Sequence, residues 1–447
     1  MFWVGVVSFF IVGPSLILYA DGYRINISDR ELLETGTLVI SSQPVTARIS
    51  LDGNTLDSKT PLTIDSLEPK EYTVTLESDG YLPWTKHLLV SAGQSTFASD
   101  IRLIKDTGIS QERGNVQHLF YDRSTRRGFV TTQLSDGGIT TAFYASQLFS
   151  TLLQSNREVL VPVTNASSIS TIAWSPTENR IILRTDNRYW LVNFNYGTSV
   201  ATELTSVMPT GLKSLRWSTR NADELIATNA DGVSLINLAT TTRRDISINI
   251  GTEPQIFTDA FSLDNNIFIL AGTDSTSTLI RTDGTGNADT MYTLPGNRAT
   301  YIGHNADVLV IKNGDNQLQI HHKTSDTYRL GFTFDQVKEA IFDPVNEALL
   351  FTNGNELFTY AIEHDSLALL VRQGSAITNI DWFEESHASY ISDNTIYLIE
   401  RDGRDGHINW PLSTARVLNN YFIPNSFDAL YFVGDTGEGS SLYERDI

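Results

Sequence analysis

The stretch Ser170-Thr-Ile-Ala-Trp174-Ser-Pro176-Thr-Glu-Asn-Arg180-Ile-Ile-Leu-Arg-Thr185 decides how the chain is read. An apolar run ends on an aromatic residue, a polar turn with proline follows, and a second apolar run begins. Short apolar runs bounded by turn residues are strands rather than helices. Copies recur downstream. Arg216-Trp217-Ser218, Ile341-Phe342-Asp343-Pro344 and Asp381-Trp382-Phe383-Glu384 lead through polar turns to Glu224-Leu-Ile-Ala227, Ala348-Leu-Leu-Phe351 and Ala388-Ser-Tyr-Ile391. Third strands follow at Tyr189-Trp-Leu-Val192, Val233-Ser-Leu-Ile236, Glu356-Leu-Phe-Thr-Tyr360 and Thr395-Ile-Tyr-Leu-Ile399.

Aligning the residue that closes each first strand gives Phe120, Trp174, Trp217, Phe261, Ile302, Phe342, Trp382 and Phe422, at spacings of 54, 43, 44, 41, 40, 40 and 40 residues. A period near 40 with several short strands per unit predicts a β-propeller over 115–447, whose four-stranded blades bury their faces against their neighbours. Eight anchors suggest eight blades. Tyr301-Ile302-Gly303-His304 is degenerate, and closure with a strand borrowed from one end leaves seven as the alternative. The long first spacing is put down to Leu134-Ser-Asp-Gly-Gly138 and a loop over 147–156. Extra loops on one propeller face are where partners bind, which makes Phe143 and Tyr144 candidate binding residues.

Ahead of the repeats, residues 35–104 alternate with period two at Leu38-Ile40, Ala47-Ile49-Leu51, Tyr72-Val74-Leu76 and Leu88-Val90, with turns at Asp52-Gly53-Asn54 and Ser78-Asp79-Gly80. Five or six such strands make a small β-sandwich. Its Tyr81 and Trp84 belong either to the shared core or to an exposed aromatic pair, and Trp84 is a third candidate binding residue. Residues 105–114, polar and without periodicity, read as a linker, either free or folded onto the following domain. Residues 1–20 carry no charge and are dominated by Phe, Val, Ile and Leu. About 20 such residues span a bilayer, so 1–22 is expected to be an uncleaved transmembrane anchor. A cleaved signal peptide fits less well, because Leu18-Tyr19-Ala20 places a bulky residue where a small one is needed. The fold class is therefore all-β, with an N-terminal transmembrane helix, a small sandwich and a propeller.

Composition excludes several functions. The 447 residues, 40% of them hydrophobic, are ample for packed cores. A formal charge of −20 without clustered Lys and Arg argues against nucleic acid. The absence of cysteine removes disulfides, thiolate zinc sites and cysteine nucleophiles. No Gly-x-Ser-x-Gly elbow, phosphate loop or His-Glu-x-x-His helix occurs. Gly434-Asp-Thr-Gly437-Glu-Gly439 has no helix after it and reads as a hairpin turn. His321 and His322 are neighbours on a strand and point to opposite faces. Asp283, Asn287 and Asp289 do not match a calcium loop. Glu384-Glu385, and Asp402 with Asp405, flank turns and read as solvated charges rather than a glycosidase pair. Neither a catalytic residue, a metal ligand nor a cofactor site is assigned.

Two resemblances add to this reading. Ser42-Gln-Pro44-Val-Thr-Ala47-Arg-Ile49, Leu51-Asp-Gly53, Lys59-Thr60-Pro61, Leu67-Glu-Pro69-Lys-Glu-Tyr72-Thr-Val74 and Glu77-Ser-Asp-Gly80-Tyr81-Leu-Pro83-Trp84 resemble the PEGA domain family, with Lys70 standing where that family usually has glycine. The Ser-Pro and Asp-Pro turns resemble the WD40-like repeats of periplasmic TolB-type propellers. Together they imply a bacterial cell-envelope protein, held in the cell membrane by one pass at residues 1–20, with the bulk outside the cytoplasm. The charges flanking the apolar segment do not orient it. The function this implies is a non-enzymatic interaction protein whose partner is an envelope protein or polysaccharide. A propeller-type glycosidase or lyase, and a purely structural envelope component, are the alternatives.

Overall fold

A computed structural model describes residues 2–20, 22–26, 31–133, 139–145, 158–161, 169–194, 200–248, 255–285, 288–325, 327–413, 416–424, 426–435 and 439–447. Two compact units divide the chain: 1–108 with 400–408 and 446–447, and 109–399 with 409–445.

The first unit begins with the helix Phe2–Ala20, whose 19 residues rise about 28 Å. Its apolar side chains are exposed around the whole circumference, Phe9 at 71% and Ile17 at 63% among them. Among the described residues no helix is long and apolar enough to cross a membrane. The expected transmembrane span is thus not shown.

The period-two stretch folds as a sandwich. A four-stranded sheet, ordered Asn54–Lys59, Arg48–Leu51, Lys70–Glu77, Trp84–Val90, accompanies a three-stranded one ordered Leu62–Leu67, Gly36–Gln43, Ser95–Arg102. The last two strands run parallel. Strict alternation along Trp84–Val90 sends Trp84, Lys86, Leu88 and Val90 inward and Thr85, His87 and Leu89 outward. Leu38, Ile40, Ile49, Val74 and Leu76 are fully buried with them. The Asp52-Gly53 turn has positive φ at both residues (50° and 79°), the backbone a two-residue hairpin demands.

In the second unit the eight anchors each fall on the first strand of a four-stranded antiparallel sheet. These strands are Val116–Asp122, Ile169–Trp174, Ser214–Trp217, Ile256–Leu263, Thr300–His304, Glu339–Asp343, Ile377–Phe383 and Arg416–Phe422. Seven sheets run in strict chain order. The eighth is ordered Ser110–Gly114, Ser440–Asp446, Ala429–Asp435, Arg416–Phe422. The architecture is all-β and propeller-like. Each core lies between consecutive sheets: Leu225 and Ala227 of the third pack with Ala173 and Ile182 of the second, and Phe422 and Tyr431 of the eighth pack with Leu119 and Val130 of the first.

Part of the linker is folded onto the second unit. Residues 110–114, read as linker, form a strand paired antiparallel with Ser440–Asp446, Ser110 facing Glu444 and Gly114 facing Ser441. The run Ser-Gln-Glu-Arg-Gly has no hydrophobic alternation because it is the outer, wetted edge of its sheet.

Candidate functional site

The charged side chains that meet in the second unit come from first strands and the turns after them. On six of the eight first strands the ladder slips by a residue or more, for example between Phe257 and Asp259 and between Thr378 and Asp381. A bulge re-aims the side chain that follows it. Asp259 and Asp381 are the first residues back in register in their strands, and both are almost completely buried.

Asp381, of the seventh sheet, accepts from the Tyr121 hydroxyl at 2.8 Å and from the Trp382 amide at 2.9 Å. Arg126, on the turn after the first sheet's opening strand, lies 3.4 Å from it and also donates to the Trp382 and Ile423 carbonyls. Arg123 on the same turn pairs with Glu339 of the sixth sheet at 2.6 Å. Tyr421 of the eighth sheet donates to the Asn379 carbonyl and to Ser389, each at 2.8 Å. Burial raises the Asp381 carboxyl pKa, with Arg126 and Arg123 pulling it down. Burial, then the charge of Asp381, pushes the Tyr121 phenol well above its usual range. Four sheets thus converge on one buried network.

A second cluster joins the third, fourth and fifth sheets. Arg216 grips Asp259 with two bonds, 2.9 and 2.6 Å, and stacks 4.8 Å over the Tyr301 ring. Asp259 also accepts the Tyr301 and Ala260 amides. Burial pushes the Tyr301 phenol up to about 12, Arg216 acting against it. A two-pronged guanidinium–carboxylate bond fixes geometry as well as charge. Chemically, both clusters are pins between sheets, in which each carboxylate is matched by an arginine.

Trp84, the candidate in the sandwich, is 2% exposed, and its indole N–H donates to Glu400 at 3.0 Å. That is a core position rather than a free aromatic platform. Lys86, beside it and as deeply buried, pairs with the same Glu400 at 2.5 Å and donates to the Asp402 and Gly406 carbonyls. The segment 400–408 therefore completes the interior of the first unit. Phe143 and Tyr144 pair in the ladder with Phe129 and Gly128. Their side chains, and the loops 134–138 and 147–156, lie outside the described residues.

The remaining motifs are structural. Asp402 is held by Arg404 at 2.7 Å and Asp405 by His87 at 2.6 Å. Asp283 accepts from the Thr285 amide and hydroxyl, Asp289 pairs with Arg281, and Asn287 lies outside the described residues. His321 is fully buried against Gln319 while His322 is only partly covered. Among the described residues no group of three or more His, Cys, Asp or Glu is placed to hold a metal. Sequence reasoning missed both arginine–carboxylate clusters. The available signal was an acidic residue inside an apolar run, one or two positions before an anchor: Asp259 before Phe261 and Asp381 before Trp382.

The fold and these pins define a class, an all-β protein with a small sandwich ahead of a propeller-like body. Within it, the PEGA domain matches residues 35–104, the span of the sandwich. Among solved structures the chain is similar to an oligogalacturonate lyase in complex with manganese, at 12% identity and a TM-score of 0.45, covering 74% of this chain and 97% of that one. It is also similar to a chain of the mitotic checkpoint complex, at 15% identity and a TM-score of 0.43, covering 63% of this chain and 92% of that one. No curated protein matches the sequence.

Proposed function

We propose that the chain is a non-enzymatic interaction protein tethered at the outer side of a cell membrane. In this reading the helix Phe2–Ala20 holds it at the bilayer, and the PEGA domain follows just outside. The propeller-like body, its eight sheets closed into a ring, presents a face to an envelope protein or polysaccharide. One observation carries the proposal: an uncharged helix with its apolar side chains exposed on every side, ending at Ala20, precedes a PEGA domain that begins at residue 35. Such a surface in water is costly at roughly 25 cal/mol per Å², and lipid removes the cost.

The test is flotation of the full chain with vesicles, followed by crosslinking of the reconstituted protein to envelope polysaccharide and secreted protein. Flotation that is lost on deleting residues 2–20, with one saturable partner surviving high salt, is the expected result. A full chain that stays at the bottom of the gradient counts against the tether, and no partner in any fraction counts against recognition.

A glycosidase or lyase is the second reading, favoured by the raised pKa of Asp381 and its convergence with Tyr121 and Glu339-bound Arg123. Against it, the Asp381 carboxylate is committed to the Tyr121 hydroxyl, a backbone amide and Arg126. Asp381→Asn separates the two: an enzyme loses polysaccharide cleavage at unchanged partner binding, whereas a pin loses stability.

A further inference from the structure

The helix end is tied to one edge of the sandwich by a chain of close contacts. The Gly22 carbonyl accepts from both the amide and the hydroxyl of Thr35, at 3.0 and 2.6 Å. The Thr35 carbonyl in turn accepts the Gly93 amide at 3.1 Å, and the Gln94 carbonyl accepts Thr37 at 3.0 Å. Gly36 is pressed against the same turn so closely that a Cβ would collide with the Ser91 carbonyl oxygen. The turn Ser91–Gln94 is therefore held beside the segment that follows the helix at Gly22.

Two large apolar side chains stand exposed on the strands that meet at this turn. Leu89, 64% exposed, is two residues before it, and Phe97, 59% exposed, is three residues after it. At about 3.3 Å per residue both lie within roughly 10 Å of the turn. The Thr96 hydroxyl donates to the Leu89 carbonyl at 2.8 Å, which ties the two strands together at this edge although they belong to different sheets. Leu32, 49% exposed, is on Glu31–Glu34, the strand that leads into Thr35. The neighbouring charges are of both signs: Glu71 faces Leu89 in the ladder and Glu34 packs on Gly93, while Arg404 donates to the Phe97 carbonyl at 2.7 Å.

We propose that Leu32, Leu89 and Phe97 form a lipid-contacting collar, continuous with the exposed helix, that seats this edge of the PEGA domain in the bilayer interface. The inference rests on the membrane tether proposed above. The apolar side chains enter the headgroup boundary while Glu34, Glu71 and Arg404 stay among the headgroups and water, so the contact is with the lipid's apolar boundary rather than with a particular headgroup charge. Three side chains of this size are too few to hold the protein without the helix, and serve to fix the orientation of the domain at the surface.

The absence of cysteine makes the test direct. Single-cysteine chains Leu89→Cys, Phe97→Cys and Val45→Cys are labelled with an environment-sensitive fluorophore and reconstituted into phosphatidylcholine vesicles carrying spin-labelled lipid. Val45 is the control, because it is 63% exposed but lies beyond the far end of strand Gly36–Gln43, about 23 Å from Gly36. Blue-shifted emission and at least twofold stronger quenching at 89 and 97 than at 45 is the expected result. Equal quenching at all three positions, or none at any in a chain that floats with the vesicles, overturns the collar and leaves the tether standing. A chain that does not float overturns both. Ser95→Cys places a probe beside the turn without touching the collar itself, and is expected to be quenched more strongly than Val45→Cys. Adding Leu89→Asp and Phe97→Asp is expected to leave flotation as in wild type while making quenching at 95 and 45 equal. A contrast between 95 and 45 that survives both aspartates would mean that something other than these side chains orients the domain, and overturns the collar.

Discussion

His321 shows how one side chain shapes the response to acid. It is fully buried, its Nε2 lies 3.2 Å from the Gln319 amide oxygen, and its Nδ1 has no partner among the described residues. A proton on Nδ1 would have no acceptor. Burial, then the neighbouring His322, therefore lowers the pKa to about 4. In the unfolded chain the imidazole protonates near 6.5, so between about 6.5 and 4 the unfolded state binds more protons and stability falls as pH falls. The window is about 2.5 pH units, worth at most about 3 kcal/mol. We expect denaturant titrations of wild type to show this loss across the window, and His321→Gln to flatten it while leaving stability near pH 8 within about 1 kcal/mol. An equal acid slope in the variant would assign the effect elsewhere.

At the scale of elements, sheets are joined by buried pins and by aromatic rings seated on glycine. Removing one partner of a buried ion pair strands the other, at a cost of about 3–5 kcal/mol. Arg126→Met is expected to cost that much in chemical denaturation, and Arg126→Met with Asp381→Asn to cost clearly less than the two singles summed. Additivity would mean that the two groups do not interact. Gly128 sits where a Cβ would come within 2.9 Å of the Phe422 ring, which is itself fully buried. Gly128→Val should overpack this contact between the first and eighth sheets and cost about 1–3 kcal/mol, read as a lowered Tm. The anchor aromatics were legible because burial between sheets repeats every 40 or so residues and leaves a periodic trace. The pins were not, since Arg126 and Asp381 are 255 residues apart and nothing local links them. Trp84 was ambiguous for the same reason: its partner, Glu400, lies 316 residues away.

At the scale of the whole molecule, sequence periodicity left seven or eight repeats open and allowed a strand borrowed from one end, without showing which residues form it. The hydrophobic pattern reports burial, and a wetted outer strand such as Ser110–Gly114 has none to report. Yet sheets that stack only on their neighbours leave two free ends unless something joins them. Here a strand that precedes the first sheet in sequence completes the last, its pairing with Ser440–Asp446 backed by Ser440 donating to the Val116 carbonyl and Gln111 to Ser441. Proline cannot donate to a ladder, so Gln111→Pro with Arg113→Pro should release this strand while leaving the seven sequential sheets intact. We expect amide exchange of residues 440–446 to accelerate at least tenfold, and the main thermal transition to fall. Faster exchange confined to 440–446 with an unchanged Tm would mean that the strand merely covers an edge. Spread of the faster exchange into the first sheet, at 116–133, would mean that it holds the two ends of the array together.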